Sequence, residues 1–251
     1  MATGVLEIRG LTKYFGGLRA IDDVNVSISK GELVGVIGPN GAGKTTFFNL
    51  ITGFVVPDGG EVLVNGVDVA GWSPHRVVQE GVSRTFQITR MFSSLKVIEN
   101  VIVALLARKG MGILSSSRAH VEEASAILER VGLHDKIGLL AGSLGQGDQR
   151  KLELARATAT KPNVLLIDEP FSGLSLKEVE VLIPLIQKLN KEGLNIVIIE
   201  HKLRELMRLA KRVLVLNFGR LIADGTPEEI TNDEEVVEAY LGKERGNFGA
   251  P

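Results

Sequence analysis

Eight consecutive residues combine three glycines with a lysine and a threonine, a composition suited to holding phosphate. They are Gly38, Pro39, Asn40, Gly41, Ala42, Gly43, Lys44 and Thr45, and they fit the pattern G-x-x-x-x-G-K-[ST]. Glycine lets the backbone turn so that successive N–H groups point inward at phosphate oxygens. Lys44 can reach the β- and γ-phosphates of a nucleotide, and the Thr45 hydroxyl can bind Mg²⁺. We expect this loop, extended by Thr46, to bind a nucleotide.

A pair of adjacent carboxylates, Asp168 and Glu169, follows the apolar residues 164–167. Such a run predicts a buried strand, which delivers both acids to the edge of a parallel sheet where α/β proteins bind ligands. Asp168 would hold Mg²⁺ through water, and Glu169 would polarise the water that attacks the γ-phosphate. Taken alone, such a pair is more commonly a solvated turn. A phosphate loop in the same chain favours the catalytic interpretation.

Two further polar residues lie where strand patterns end. Gln87 stands where the sheet pattern gives way to helical spacing, and its amide could contact both the metal and the attacking water. His201 follows the apolar residues 196–199, where an imidazole donor could bind a γ-phosphate oxygen. The alternatives are a surface glutamine and a structural histidine at a helix start.

The elements that must position these side chains are short β-branched runs alternating with helical patterns. Strands are predicted at residues 5–8, 24–28, 33–37, 62–64, 164–167, 196–199 and 213–216. A helix should begin near Gly43, and others at about residues 176–191 and 203–209. This rhythm predicts a parallel sheet covered by helices. Residues 217–220 look like a hairpin turn.

Strand signals vanish between residues 92 and 162, which predicts a helical insert over about residues 88–160. Within it the apolar residues Val121, Ala124, Leu128 and Val131 repeat at helical spacing. Residues 110–117 read as a loop, and residues 243–251 as a mobile tail.

The composition narrows the possible functions. The chain has 251 residues, 44% of them hydrophobic, a net charge of -1 and no cysteine. Without cysteine, disulfides and thiolate chemistry are excluded. The charge balance gives no support to nucleic-acid binding, and we expect none. Apolar runs of about 18 residues are missing, so we expect the chain not to cross a membrane.

The order of these motifs resembles the ATP-binding subunits of ABC transporters across nearly the whole chain. Phe15 aligns with the aromatic residue on which such proteins stack adenine, with Tyr14 as the less favoured candidate. Gln87 matches the family's Q-loop and His201 its H-loop. The resemblance implies one nucleotide-binding domain over residues 1–251. Its fold would be an α/β P-loop NTPase with a RecA-like core, an antiparallel β subdomain and an α-helical insert.

Within that family, residues 83–87, 97–100, 199–202 and 238–242 look like the LivG type of branched-chain amino acid importers. This resemblance implies ATP and Mg²⁺ as ligands and a cytoplasmic, peripheral position on the inner face of the cell membrane. It also implies partners: two membrane permeases, a second ATP-binding subunit that is identical or different, and an external substrate-binding protein.

Two motifs depart from the family pattern. The signature, usually Leu-Ser-Gly-Gly-Gln, stands here as Leu144, Gly145, Gln146, Gly147 and Asp148, so the serine that donates to the partner's γ-phosphate is missing. Gly147 can still present a backbone N–H, and the following helix can aim its positive end at that phosphate. The D-loop aspartate is replaced by Ser175, which with Glu178 predicts a capping box.

Two other functions fit an ABC-type sequence. One is a soluble ATPase that acts on nucleic acid or the ribosome, but such proteins tend to carry coiled-coil inserts or a second cassette, which this chain lacks. The other is a regulatory subunit whose altered signature slows hydrolysis. Glu169 argues that the chain's own half-site hydrolyses ATP, with any defect at the partner's nucleotide.

Overall fold

A computed structural model describes residues 4–86, 91–107 and 117–245. Gln87 and the tail beyond residue 245 lie outside these ranges. The chain falls into two compact units. The first unit joins Met1–Pro74 to Asn195–Pro251, and the second is His75–Leu194.

The described ranges contain both strands and helices. The strands are β1 (Leu6–Phe15), β2 (Leu18–Ile28), β3 (Leu33–Ile37), β4 (Gly59–Val64), β5 (Val67–Asp68), β6 (Val82–Arg84), β7 (Val164–Asp168), β8 (Asn195–Ile199), β9 (Arg212–Asn217) and β10 (Arg220–Gly225). The helices are α1 (Lys44–Ile51), α2 (Pro74–Glu80), α3 (Val97–Leu106), α4 (Ser117–Arg130), α5 (Gln146–Ala159), α6 (Leu176–Lys191), α7 (Leu203–Leu209), α8 (Pro227–Asn232) and α9 (Glu234–Arg245).

The first unit contains an antiparallel sheet and a mainly parallel one. The antiparallel sheet has the strand order β2-β1-β4-β5, and the other runs β10-β9-β3-β8. Strand β3 is parallel to both β8 and β9, and all five of its residues are buried. Helix α7 packs closely against β3, because a Cβ on Gly35 would lie 2.9 Å from Cδ2 of Leu206. The carboxyl end of β3 therefore leads the chain from a rigid core straight into the phosphate loop.

The second unit pairs β6 with β7 in parallel and adds a helical core. Side chains of α3, α4 and α5 form that core, with Val101, Leu128 and Leu152 fully buried at its centre. Of the four residues predicted to repeat on one helix face, Val121 is 44% exposed, and only the other three are buried. Within the described ranges, no helix combines the length and apolarity needed to cross a bilayer.

The predicted α/β class with an antiparallel subdomain is confirmed, and the seven predicted strands are all present. Helices α6 and α7 have the predicted bounds. The sequence prediction missed β5, β6 and β10 and the helices α2, α8 and α9. Helix α9 extends to Arg245, so the first residues of the predicted mobile tail are helical.

Candidate nucleotide-binding site

The phosphate loop connects β3 to α1, and its shape depends on glycine at two positions. Gly38 and Gly43 have φ of 151° and 103°, in the region that side chains avoid. A Cβ on Gly38 would lie 2.1 Å from the carbonyl oxygen of Leu216, and one on Gly43 would lie 2.4 Å from that of Ala20. The loop is thus pressed against β9 and β2, and only glycine fits there.

Lys44 begins α1 and lies over the loop. Its side chain is buried, and Nζ donates to the carbonyl oxygens of Gly38 at 2.7 Å and Pro39 at 3.0 Å. The ammonium group is therefore held at the centre of the loop, where phosphate oxygens would gain a charge-assisted hydrogen bond. Thr45, next in the helix, is exposed. The start of α1 presents the N–H groups and positive dipole end that favour an anion.

A cavity of about 390 Å³ opens beside this loop. Its lining joins residues 40–46 to side chains from three other segments of the first unit, namely Phe15, Leu18, Arg19, Ala20, His201 and Phe218. Phe15 is 48% exposed, with Nζ of Lys13 at 5.5 Å from its ring centroid. Tyr14 is not part of the lining; its backbone N–H donates to Asp58 Oδ2 at 2.7 Å. The arrangement favours Phe15 over Tyr14 as the base-stacking residue, which remains a prediction.

His201 reaches the cavity from the end of β8. The buried Glu200 accepts backbone N–H groups from His201 at 2.8 Å and from Lys202 at 3.0 Å. This carboxylate fixes the chain where it leaves the strand, just before α7. The imidazole is exposed on the same cavity as the phosphate loop, as the motif order predicts.

In the second unit, the carboxylate pair lies at the end of β7. Asp168 is buried and accepts a hydrogen bond at 2.6 Å from Nη2 of Arg84, whose side chain is 5% exposed. Its backbone N–H lies 3.3 Å from the Thr85 hydroxyl. Glu169 has a φ of 46°, an uncommon left-handed conformation for a residue other than glycine, and such conformations cluster at functional sites.

Sequence reasoning missed Arg84. Its strand β6 has only three residues, too few to show a period, so the register that places Arg84 opposite Leu166 was invisible. Cζ of Arg84 also lies 5.3 Å from the ring centroid of Phe86, which is the residue before Gln87. Gln87 itself lies outside the described residues, so its predicted role stays a prediction.

The signature residues form the start of α5. Gly145 is the N-cap, with an ordinary φ of -67° and nothing within 4 Å of the position that a Cβ would take. The N–H of Gly147 donates to Glu178 Oε1 at 3.0 Å. The predicted capping box is present, because the Glu178 N–H donates to the Ser175 hydroxyl at 3.4 Å and the Glu178 carboxylate accepts from the Ser175 N–H at 2.9 Å. The carboxylate also accepts from the Ser175 hydroxyl at 2.7 Å. These hydrogen bonds, from Ser175 first and then Gly147, lower the pKa of Glu178.

Asp148 adds a second carboxylate to the first turn of α5. It is paired with Nζ of Lys136 and, at 3.0 Å, with Nζ of Lys151. Burial raises the pKa of Asp148, but hydrogen bonds from the two lysines outweigh it and the pKa is lowered. The departure from glutamine at this position therefore places an ion-pair network at the signature.

Comparison with known proteins places the chain in a family. The sequence profile described as ABC transporter matches residues 21–172, and a profile described as branched-chain amino acid ATP-binding cassette transporter matches residues 220–245. Among curated relatives, the high-affinity branched-chain amino acid transport ATP-binding protein BraF of Pseudomonas aeruginosa is 40% identical, covering 97% of this chain and 100% of its own. LivG of Escherichia coli K12, with the same description, is 41% identical over the same shares.

A solved structure extends the likeness to the fold. The ADP conformation of MJ1267, an ATP-binding cassette of an ABC transporter, matches with a TM-score of 0.86 and 31% identity, covering 95% of this chain and 98% of that one. The predicted P-loop NTPase fold and the resemblance to the LivG type are both confirmed. The chain therefore belongs to the ABC transporter family, as an ATP-binding cassette subunit with ATPase activity.

Proposed function

We propose that this subunit powers the import of branched-chain amino acids. The observation that carries the proposal is the match of residues 220–245 to the branched-chain profile, in addition to the full-length likeness to BraF and LivG. That segment contains β10, α8 and α9, which lie outside the motifs shared by ABC ATPases in general. A match in this segment supports branched-chain amino acids as the transported substrate, which the phosphate loop cannot do because ABC ATPases in general share it.

The proposed function implies a division of labour at the nucleotide. Lys44 and the loop N–H groups bind the phosphates, and Phe15 stacks on adenine. On the family resemblance, we expect Glu169 and Gln87 to orient and polarise the attacking water, and His201 to donate to the γ-phosphate. Because little covalent chemistry is asked of the protein, positioning and charge stabilisation account for most of the rate.

The donor set also suits Mg²⁺. Hydroxyl and carboxylate oxygens are its preferred ligands, and the family resemblance implies Thr45, Asp168 and the Gln87 amide as the residues that would contact it. The Asp168 carboxylate already forms an ion pair with the guanidinium group of Arg84. A bound Mg²⁺ would neutralise charge on the β- and γ-phosphates.

The proposed assembly is peripheral, on the cytoplasmic face of the membrane. Two permeases and a second ATP-binding subunit would complete it, with an external binding protein that delivers the amino acid. Each signature would face the partner's nucleotide, so that ATP stabilises the closed pair and its hydrolysis removes that differential affinity.

Reconstitution tests this function. The subunit is co-expressed with its candidate permeases and partner ATPase, placed in proteoliposomes and supplied with the external binding protein. We expect uptake of leucine, isoleucine or valine that depends on ATP inside the vesicle. Glu169→Gln should retain ATP binding but lose uptake and turnover. A complex that hydrolyses ATP yet transports no branched-chain amino acid would overturn the substrate assignment and leave the ATPase assignment standing.

A further inference from the structure

The turn between β9 and β10 carries an unexpected residue. Only Phe218 and Gly219 separate the two strands, and their φ values are 45° and 80°. Two consecutive positive values are the mark of a type I′ hairpin, which strongly prefers asparagine or aspartate followed by glycine. Gly219 fits this preference, whereas phenylalanine in the left-handed region is strained.

Burial does not compensate for this strain. Phe218 is 78% exposed, so its ring gains little from the hydrophobic effect in the isolated subunit. An exposed phenylalanine at this turn position contradicts the preference for a small polar residue, and no burial of its ring within the subunit offsets the strain. Such exceptions are expected at functional sites.

The turn is nevertheless fixed against the nucleotide site. The N–H of Gly219 donates to the carbonyl oxygen of Ala42 in the phosphate loop at 2.9 Å, and the N–H of Asp22 donates to the Gly219 carbonyl at the same distance. A Cβ on Gly219 would lie 2.8 Å from the carbonyl oxygen of Ala20. The backbone that carries Phe218 is therefore held between the phosphate loop and β2.

Phe218 lines the same cavity as Phe15. We propose that Phe218 is a second aromatic contact for the bound nucleotide, and that its ring packs against the nucleoside while the loop holds the phosphates. An aromatic ring can stack on any base, because every base has a π-face, and two rings on one cavity increase the apolar surface available to the nucleoside. The inference depends on nucleotide binding at this site, not on the transported substrate.

Phe218→Asn separates this role from a structural one. Asparagine relaxes the turn, so a purely structural residue would give a thermal midpoint that is equal or higher and unchanged nucleotide affinity. We expect an equal or higher thermal midpoint, but we also expect ATP and ADP to bind about tenfold more weakly. Calorimetry on the purified subunit measures both nucleotide affinities. Phe218→Tyr, which keeps the ring, should retain the affinity.

Two controls locate the effect. Phe54→Asn removes an aromatic side chain that is 50% exposed in the same unit but does not line the cavity, so affinity should not change. Inorganic tripolyphosphate tests the phosphate subsite alone, and Phe218→Asn should leave its binding unchanged. Equal ATP affinity in Phe218→Asn and the unmodified chain would overturn the inference, as would a matching loss for tripolyphosphate, which would indicate a distorted loop. Failure of the unmodified chain to bind ATP would instead count against the assigned function.

Discussion

Two helices of this molecule begin at motifs associated with nucleotide phosphate, and their N-termini differ in what they offer an anion. Helix α1 follows Gly43, whose left-handed backbone is closely packed, and it has an ammonium group and an open cavity at its start. Helix α5 follows Gly145, whose backbone is ordinary and unconfined. At α5 the Glu178 carboxylate already accepts from the first turn. A helix N-terminus attracts negative charge from any source, and the surrounding loop decides whether that charge is a ligand or a side chain.

The difference has a consequence for the signature. Gly147 has one N–H, and it donates to Glu178, which belongs to the capping box after the D-loop. If this N–H serves a partner's γ-phosphate, as the family resemblance implies, the carboxylate must be exchanged for the phosphate. Glu178 thus joins the signature, through the retained Gly147, to Ser175, the departure at the D-loop.

Lys44→Ala should cause the largest loss. It removes the ammonium group from the α1 site, and we expect ATP affinity to fall by roughly a hundredfold or more, since a charge-assisted contact to phosphate is lost. Calorimetric titration of the purified subunit measures this. The matched control is Lys30→Ala, an exposed lysine of the same unit that does not line the cavity. Retention of ATP affinity in Lys44→Ala would show that backbone groups alone hold the phosphates.

The phosphate loop at α1 was predictable from sequence because the residues that form it are consecutive. Eight adjacent positions fix the loop, and the apolar residues of β3 identify the strand before it. His201 and Asp168 were predicted on similar grounds, since Asp168 ends the buried strand β7 and His201 lies two residues after the buried strand β8.

Contacts between residues far apart in the sequence could not be predicted. Glu178 was recognised as a capping residue for α6, but its contact with Gly147 joins residues 31 positions apart. Arg84 reaches Asp168 across 84 positions through a strand too short to recognise. Phe218 was assigned to a turn correctly, yet its place on the nucleotide cavity depends on how that turn packs against Ala42 and Ala20. The residue pattern within one segment predicts its secondary structure, but it does not predict which side chains of distant segments pack together.

Gly43→Ala tests how far the shape of the α1 loop depends on glycine. The new Cβ would meet the Ala20 carbonyl at 2.4 Å, and the φ of 103° disfavours any side chain. We expect a loss of about 2 kcal/mol in the free energy of unfolding, together with weaker ATP binding. Chemical denaturation measures the first quantity. Gly41→Ala is the comparison, since it adds the same atom where nothing lies within 4 Å, although its φ is also positive. Equal losses in both variants would assign the effect to φ alone.

Glu178→Ala tests the carboxylate at α5. It removes the acceptor of the Gly147 N–H and half of the capping box, so the thermal midpoint should fall at neutral pH. Because the folded-state pKa of Glu178 is lowered, its contribution to stability is present at neutral pH and is lost as the pH falls through that pKa. The difference in midpoint between the unmodified chain and the variant should therefore shrink on acidification.

Glu178→Gln separates charge from hydrogen bonding, since an amide oxygen still accepts from Gly147. In the assembled complex it should favour ATP-dependent closure, because a phosphate then displaces a neutral group. Glu180→Gln removes the same charge from the exposed face of α6 and should have no such effect. If both variants behaved alike, general charge at α6, and not the contact with Gly147, would be responsible.

Gly145→Ser is the smallest change and the most direct test of the signature. With a φ of -67° and nothing within 4 Å of a new Cβ, serine fits without strain. As the N-cap it can accept from the Asp148 N–H, so we expect a gain of only about 0.3 kcal/mol in the free energy of unfolding. Its hydroxyl would also offer the partner's phosphate a donor that does not compete with Glu178, which should raise ATPase activity of a heteromeric complex mainly at the partner's nucleotide. Gly145→Ala adds the Cβ without the hydroxyl. If serine and alanine gave the same turnover, the hydroxyl would be unused, and the carboxylates at α5 would define this signature more than the missing serine does.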